Sequence, residues 1–291
     1  MYSILAEETD NLGNKIIVKH SKLDHSPAYS FFLRQQAELV DSNQSGPTTF
    51  WDDITSEIIW VEYNNKIIGT SCFSTEMIYH PTIPLIYTHS TLVDKQFRRR
   101  GIQTILFKHF QNLAINYNCK VISQTIAITN TPRLSGTKAN GLNPLIYIFI
   151  KTINIKFTVD KQIKIDYDPV GKPIFEYYRN EKEKLKKHLV SLGHSNELYM
   201  VDDKNVGIMW IENNDCITEF ISFDKNKISK GTLSLYTASS YRTIDALATF
   251  INCVRVVSNV SIKDIEVAQQ LVDCGFKNTY VTLYKRINKK D

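Results

Sequence analysis

At 291 residues with 43% hydrophobic side chains, the chain can bury a full core, and its length suits two domains at least as well as one. The net charge of +5 is modest for this size; it gathers at 98-RRR-100, 182-KEKLKK-187 and 285-KRINKK-290, which permits a phosphate-bearing ligand without demanding nucleic acid. Five scattered cysteines (Cys72, Cys119, Cys216, Cys253, Cys274), with no C-x-x-C pair or His/Cys cluster, argue against a metal site and fit reduced thiols in a cytoplasmic protein.

The start, 1-MYSILAEETDNLGNK-15, lacks a basic segment followed by an apolar one, so no export signal is predicted. A strand is expected around Lys15 to Lys19, then an amphipathic helix from near Ser26 carrying Phe31, Phe32, Leu33 and Leu39, and a polar loop at 42–49. Two strands, 57–63 and 66–73, form a hairpin turned by Asn64-Asn65, residues that tolerate left-handed backbone. After a loop at 78–84, 85-LIYTHSTLV-93 has the β-branched and aromatic content of a strand, and 102–117 places Ile102, Ile105, Leu106, Phe110, Leu113 and Tyr117 on one helical face. A strand at 121–129, a helical segment ending at Gly141, and a strand at 145-LIYIFI-150, too short to span a bilayer, close the half in the order β, α, β-β-β, α, β, α, β.

The second half repeats part of this plan. Residues 141–153 align without gaps on 275–287, matching Gly141 to Gly275 and Lys151 to Lys285. The hairpin at 59–73 has a counterpart at 197–211, with Gly69 against Gly207 and an Asp-Asp turn. Two matches in the same order point to an internal duplication, with domains at 1–155 and 156–291. A single continuous domain stays open, because no Gly/Ser linker separates the halves.

The stretch 97-FRRRGIQTIL-106 joins a predicted strand to a predicted helix. A helix start offers unpaired N–H groups and partial positive charge, Gly101 lets a ligand approach the backbone, and arginines supply bidentate donors suited to a pyrophosphate. Taken alone, the loop fits a solvated turn equally well.

The run Val93, Phe97, Arg98-Arg99-Arg100-Gly101-Ile102-Gln103, in this order of elements, resembles the Q/R-x-x-G-x-G/A loop of the GCN5-related N-acetyltransferase (GNAT) superfamily. Gln103 departs from the small residue at the last position. Asn130 stands eleven residues before Gly141-Leu142, as that family's asparagine precedes its Gly-Phe, and Asp264 stands eleven before Gly275-Phe276. The resemblance implies an α/β (α+β) chain of two GNAT-like domains, each a mixed, mostly antiparallel sheet flanked by helices. The second copy is degenerate, since 235-LYTASSYRTIDALATF-250 has Arg242 but no glycine.

The same resemblance implies an N-acetyltransferase using acetyl-CoA, by direct attack of a primary amine on the thioester. It implies cofactor contacts from Thr91, Leu92, Val93, Arg98, Arg99, Arg100, Gly101, Ile102, Gln103, Thr104 and Asn130. His89 is the candidate base, because imidazole titrates usefully and two-residue alternation sets it beside Tyr87, Thr91 and Val93; a hydrogen-bonded histidine in a half-buried strand is the alternative. Glu76 is a second candidate base or a solvated carboxylate. The tyrosine that many relatives use as acid is replaced by Thr137, and by Leu271 in the second copy, leaving Tyr87, Tyr147, water or unassisted thiolate departure. The acceptor is expected to be a small-molecule amine or a peptide, with the C-terminal half shaping its pocket through Trp210, Phe220 and Tyr236 or keeping those residues as core. Two other readings stay open: a non-catalytic acyl-CoA or partner-binding scaffold, and a nucleic-acid base or protein tail as acceptor.

Overall fold

The computed structural model describes residues 2–41, 56–76, 85–153, 163–191, 206–213, 216–238, 241 and 244–287. They form two compact units, Met1–Leu145 with Val281–Asp291, and Ile146–Tyr280. The sequence boundary near 155 follows chain order; the compact units instead exchange their closing strands, as the sheets below describe.

Unit 1 is a mixed sheet. β1 (Ser3–Thr9) and β2 (Lys15–Lys22) pair antiparallel, followed by α1 (Tyr29–Asp41) and the hairpin of β3 (Ser56–Tyr63) and β4 (Lys66–Glu76). Asn64 and Asn65 turn the hairpin at φ 48° and 61°, the left-handed pair that matches strand twist. β5 (Leu85–Val93) runs antiparallel to β4, α2 (Ile102–Asn116) returns along the sheet, and β6 (Val121–Ala127) lies parallel to β5. α3 (Thr131–Ala139) follows, and the strand beside β6 is supplied by the far end of the chain, Val281–Arg286. Thr125 and Thr282 join there through their hydroxyls at 2.9 Å. One face of this sheet buries Trp60, Cys72 and Leu92 under Ala28 and Phe32, while on the other Phe73 meets Phe110 of α2 edge-on at 5.3 Å. β1, with a largely exposed pattern at the sheet edge, has no strong alternation to mark it in the sequence.

Unit 2 runs β7-β12-β11-β10-β9-β8, from β7 (Asn143–Thr152, of which Ile146 onward belongs here), β8 (Ile163–Asp166), β9 (Val206–Asn213), β10 (Cys216–Asp224), β11 (Thr232–Ala238) and β12 (Arg255–Ser261). Its helices are α4 (Pro173–Ser191), α5 (Lys225–Ile228), α6 (Ile244–Phe250) and α7 (Ile265–Asp273), before β13 (Lys277–Arg286). The second-half hairpin closes at the Asn213–Cys216 pair, so Gly207 lies on its first strand, not its second. The alignment of 197–211 on 59–73 is thus displaced by a strand, and 197–205 lies outside the described residues.

The duplication is nevertheless exact in its irregularities. A bulge leaves one extra residue on β5 opposite Cys72/Phe73, namely His89, and another on β11 opposite Ser222/Phe223, namely Tyr236. Each parallel ladder spans four residues: Leu85–Thr88 with Val121–Gln124, and Thr232–Leu235 with Arg255–Ser258. Asn130 and Asp264 cap α3 and α7 in the same way, accepting from the N–H three residues on at 3.3 Å. Gly141 and Gly275 both have φ +84°, and Lys285 and Lys151 lie over them.

Candidate functional site

β5 remains paired to β4 as far as Val93, but its ladder to β6 ends at Thr88, so the two strands part over the last five residues of β5. The cleft there is lined by Ser71, Thr88 and Thr91 of the sheet, Gln124 of β6, Gln103, Phe107 and Phe110 of α2, Thr137 of α3 and Asn140 just after it. The bulge at His89 reverses the alternation along β5. Thr91 therefore turns to Ser71, its hydroxyl 3.0 Å away, and into the cleft, whereas His89 turns to Ser74, 2.8 Å from its Nε2, with the Tyr87 ring 5.1 Å distant. The sequence expectation of one face shared by Tyr87, His89, Thr91 and Val93 is corrected by this single extra residue.

The arginine loop follows the parted end of β5 and leads into α2. Phe97 is its buried anchor, touching Tyr63 edge-on at 5.8 Å, with the Arg100 guanidinium 4.7 Å from its ring. Arg99 and Gly101 take left-handed backbone, φ 63° and 78°, which swings the chain into α2. The first helical bond there runs from the Ile105 N–H to the Gly101 carbonyl, so the N–H groups of Ile102, Gln103 and Thr104 emerge at the helix start. The three arginines differ in their commitments. Arg98 Nε donates to the Val93 carbonyl at 3.2 Å, Arg100 reaches Asp10 at 3.8 Å, and Arg99 is exposed. The turn after β1 embraces the loop, since the Asn11 N–H donates to the Arg100 carbonyl at 3.1 Å and a side chain on Gly101 would meet Asn11 Oδ1 at 2.6 Å. Burial works to raise the Asp10 carboxyl, but hydrogen bonds from Asn14 and Leu12 and the charge of Arg100 hold it below the usual range. Leu92 is buried on the opposite face, in the core under α1.

Gln103, the departure from a small residue, points its amide at α3, where Gly136 leaves it room: a β-carbon there would lie 3.1 Å from Gln103 Oε1. Thr137 is buried and donates its hydroxyl proton to Gln124 Oε1 at 3.0 Å. His89 is neutral at pH 7, because burial pushes its pKa down to about 4. The backbone of Glu76 pairs with Leu85; its side chain lies outside the description. Tyr147 packs, partly buried, on the core of unit 2; Phe220 lies in a second buried cluster there with Phe175 and Tyr178, and Trp210 and Tyr236 pack against that cluster partly buried. Arg242 lies outside the described residues. The KEKLKK segment is a solvated face of α4, with Lys184 and Lys186 each paired to a glutamate one turn earlier.

One residue of this region was not anticipated. Arg133, on the first turn of α3 and one turn before Thr137, has Nε and Nη2 closed off from solvent with no hydrogen-bond partner among the described residues. Burial pushes its pKa down to about 10, opposed by the nearby Tyr87. Carrying the repeat back from Gly141/Gly275 to Asn130/Asp264 would have exposed it, since Arg133 then falls opposite Val267.

Among the described residues no group of His, Cys, Asp and Glu could hold a metal, and no helix is long and apolar enough to cross a membrane. No curated protein matches the chain. Residues 25–135 match the acetyltransferase (GNAT) family model. Among solved structures, the chain is similar to a tandem GNAT protein from the clavulanic acid biosynthesis pathway (TM-score 0.53, 10% identity, covering 95% of this chain and 100% of that one). It is also similar to a GCN5-related N-acetyltransferase from Sphaerobacter thermophilus (0.55, 14%, 93% and 95%). A third is the glucosamine N-acetyltransferase region of a fungal multi-domain β-N-acetylglucosaminidase (0.55, 10%, 92% and 38%). Residues 25–135 thus match the GNAT acetyltransferase family, and over more than nine-tenths of its length the chain shares the fold of GNAT proteins, one of them a tandem GNAT protein.

Proposed function

We propose that unit 1 binds acetyl-CoA and transfers its acyl group to a primary amine. The observation that carries this reading is the parting of β5 from β6 after Thr88, ending at a glycine-turned helix start. The residues present fit the group: Gly101 offers bare backbone, the N–H groups of residues 102–104 suit a pyrophosphate, and Arg98 and Arg99 stand exposed beside them. The parted edge of β5 beyond Thr88 leaves backbone groups for an extended amide-bearing arm, with Thr91 and Gln103 lining the cleft and Asn130 at the cap of α3.

Coenzyme A supplies a thioester carbonyl, at which the amine nitrogen forms an amide as the carbon–sulfur bond breaks and the amine's proton passes to solvent or sulfur. The chain's part is to hold the reactants in line and give the departing proton a path. His89, a neutral imidazole hydrogen-bonded to Ser74 and turned from the cleft that Thr91 lines, would serve that path only from the Ser74 side of β5. Thr137 is unsuited to protonate sulfur, because its hydroxyl proton is held by Gln124, leaving water or the thiolate's own low basicity. This last feature also favours a second reading, a domain that binds acyl-CoA without turnover.

The test is release of free thiol from acetyl-CoA across a panel of amines, with binding followed by calorimetry. Amine-dependent release that is lost in Gly101→Asp supports transfer. Binding without release on any amine supports the second reading, and absence of binding overturns both.

A further inference from the structure

The acyl-transfer reading says nothing about which reactant the domain prefers, and Arg133 bears on that choice. Arg133 is half-buried, and two nitrogens of its guanidinium, Nε and Nη2, are closed off from water with no hydrogen-bond partner among the described residues; withdrawing part of a charge from water is costly unless an opposite charge meets it. The duplicated fold supplies an internal control. Val267 holds the equivalent place on α7, after the same type of cap, and packs against the core of unit 2. An apolar side chain therefore satisfies this position, and the fold does not require an arginine.

Arg133 also lies next to the cleft. It lies one turn before Thr137, a cleft residue, and is electrostatically close to Tyr87 of β5, which is paired with Ser123 at the last rungs before the strands part. No acidic residue among those described forms an ion pair with it. We propose that Arg133 is a specificity-determining residue whose missing partner is a carboxylate carried by one of the two reactants, either the amine acceptor or the acyl chain. Guanidinium and carboxylate match as planar bidentate partners, and a buried site strengthens that match. This inference rests on the acyl-transfer reading of unit 1.

Two experimental arms, run on the full chain, separate the sources. In the first, acetyl-CoA is offered with amines that differ only in a carboxylate: phenylalanine against phenethylamine, and leucine against isoamylamine. In the second, calorimetry compares succinyl-CoA with butyryl-CoA. Each arm is measured for the native protein, Arg133→Lys and Arg133→Met. In one arm the native protein is expected to favour the carboxylate by about 10- to 100-fold, a preference that falls to about unity in Arg133→Met and is partly kept in Arg133→Lys. No preference in either arm, or one that survives Arg133→Met, overturns the proposal. Acetyl-CoA that binds while carboxylate and neutral partners are treated alike overturns the Arg133 subsite alone, whereas failure of acetyl-CoA itself to bind counts against the acyl-CoA reading.

Discussion

Gly101→Asp perturbs the candidate pyrophosphate site in two separable ways. The residue sits at φ 78°, where a β-carbon costs about 1–2 kcal/mol, and that carbon would lie 2.6 Å from Asn11 Oδ1, so the turn after β1 must shift. The melting temperature is therefore expected to fall by about 2–8 °C. The new carboxylate would also stand roughly 5 Å from any bound phosphate, a repulsion of about 3 kcal/mol at an effective dielectric near 20, or a Kd raised more than about 100-fold. Calorimetric titration with coenzyme A reads the second effect and thermal melting the first. Asn11→Ala in the same background is expected to recover part of the melting temperature and none of the affinity. An affinity within about threefold of the native protein would refute the placement of the phosphates at this loop.

Arg133→Met removes a half-buried guanidinium with two unpartnered nitrogens, so its melting temperature is expected to hold or to rise by about 2–4 °C; a fall would assign Arg133 a structural interaction. His89, lowered from 6.5 to about 4 by burial, makes the unfolded chain bind more protons between those values, so stability rises with pH across that window by up to about 3 kcal/mol. Urea denaturation from pH 4 to 7 is expected to show this slope reduced in His89→Gln, and an unchanged slope would remove His89 as its source. Thr137→Val leaves Gln124 without its donor and is expected to destabilise by about 1 kcal/mol, with kcat within about threefold of native; a drop of tenfold or more would make Thr137 a participant.

What the sequence disclosed was local. The glycine and arginines of 98–101, the Asn64-Asn65 turn and the Asn130 cap each depend on neighbours within a few residues, and their residue types carry their geometry. The duplication was legible at 141–153 and 275–287, where a glycine at positive φ and a lysine ten residues later recur. Which sheet each closing strand joins was not legible, because Tyr147 pairing with Val260 is decided more than a hundred residues away. The facing of His89 likewise hangs on one bulge, set by the cross-strand register of Cys72 and Phe73 rather than by anything within 85–93. Arg133 follows Thr131-Pro132 as an ordinary first-turn residue, and in the sequence only its place opposite Val267 of the repeat sets it apart.

Titration of the full chain with acetyl-CoA, followed calorimetrically, tests the central claim most directly. One site per chain, abolished by Gly101→Asp, is the result expected if unit 1 holds the acyl donor and unit 2 has lost its loop. Two sites, no site, or a single site indifferent to Gly101→Asp would contradict it.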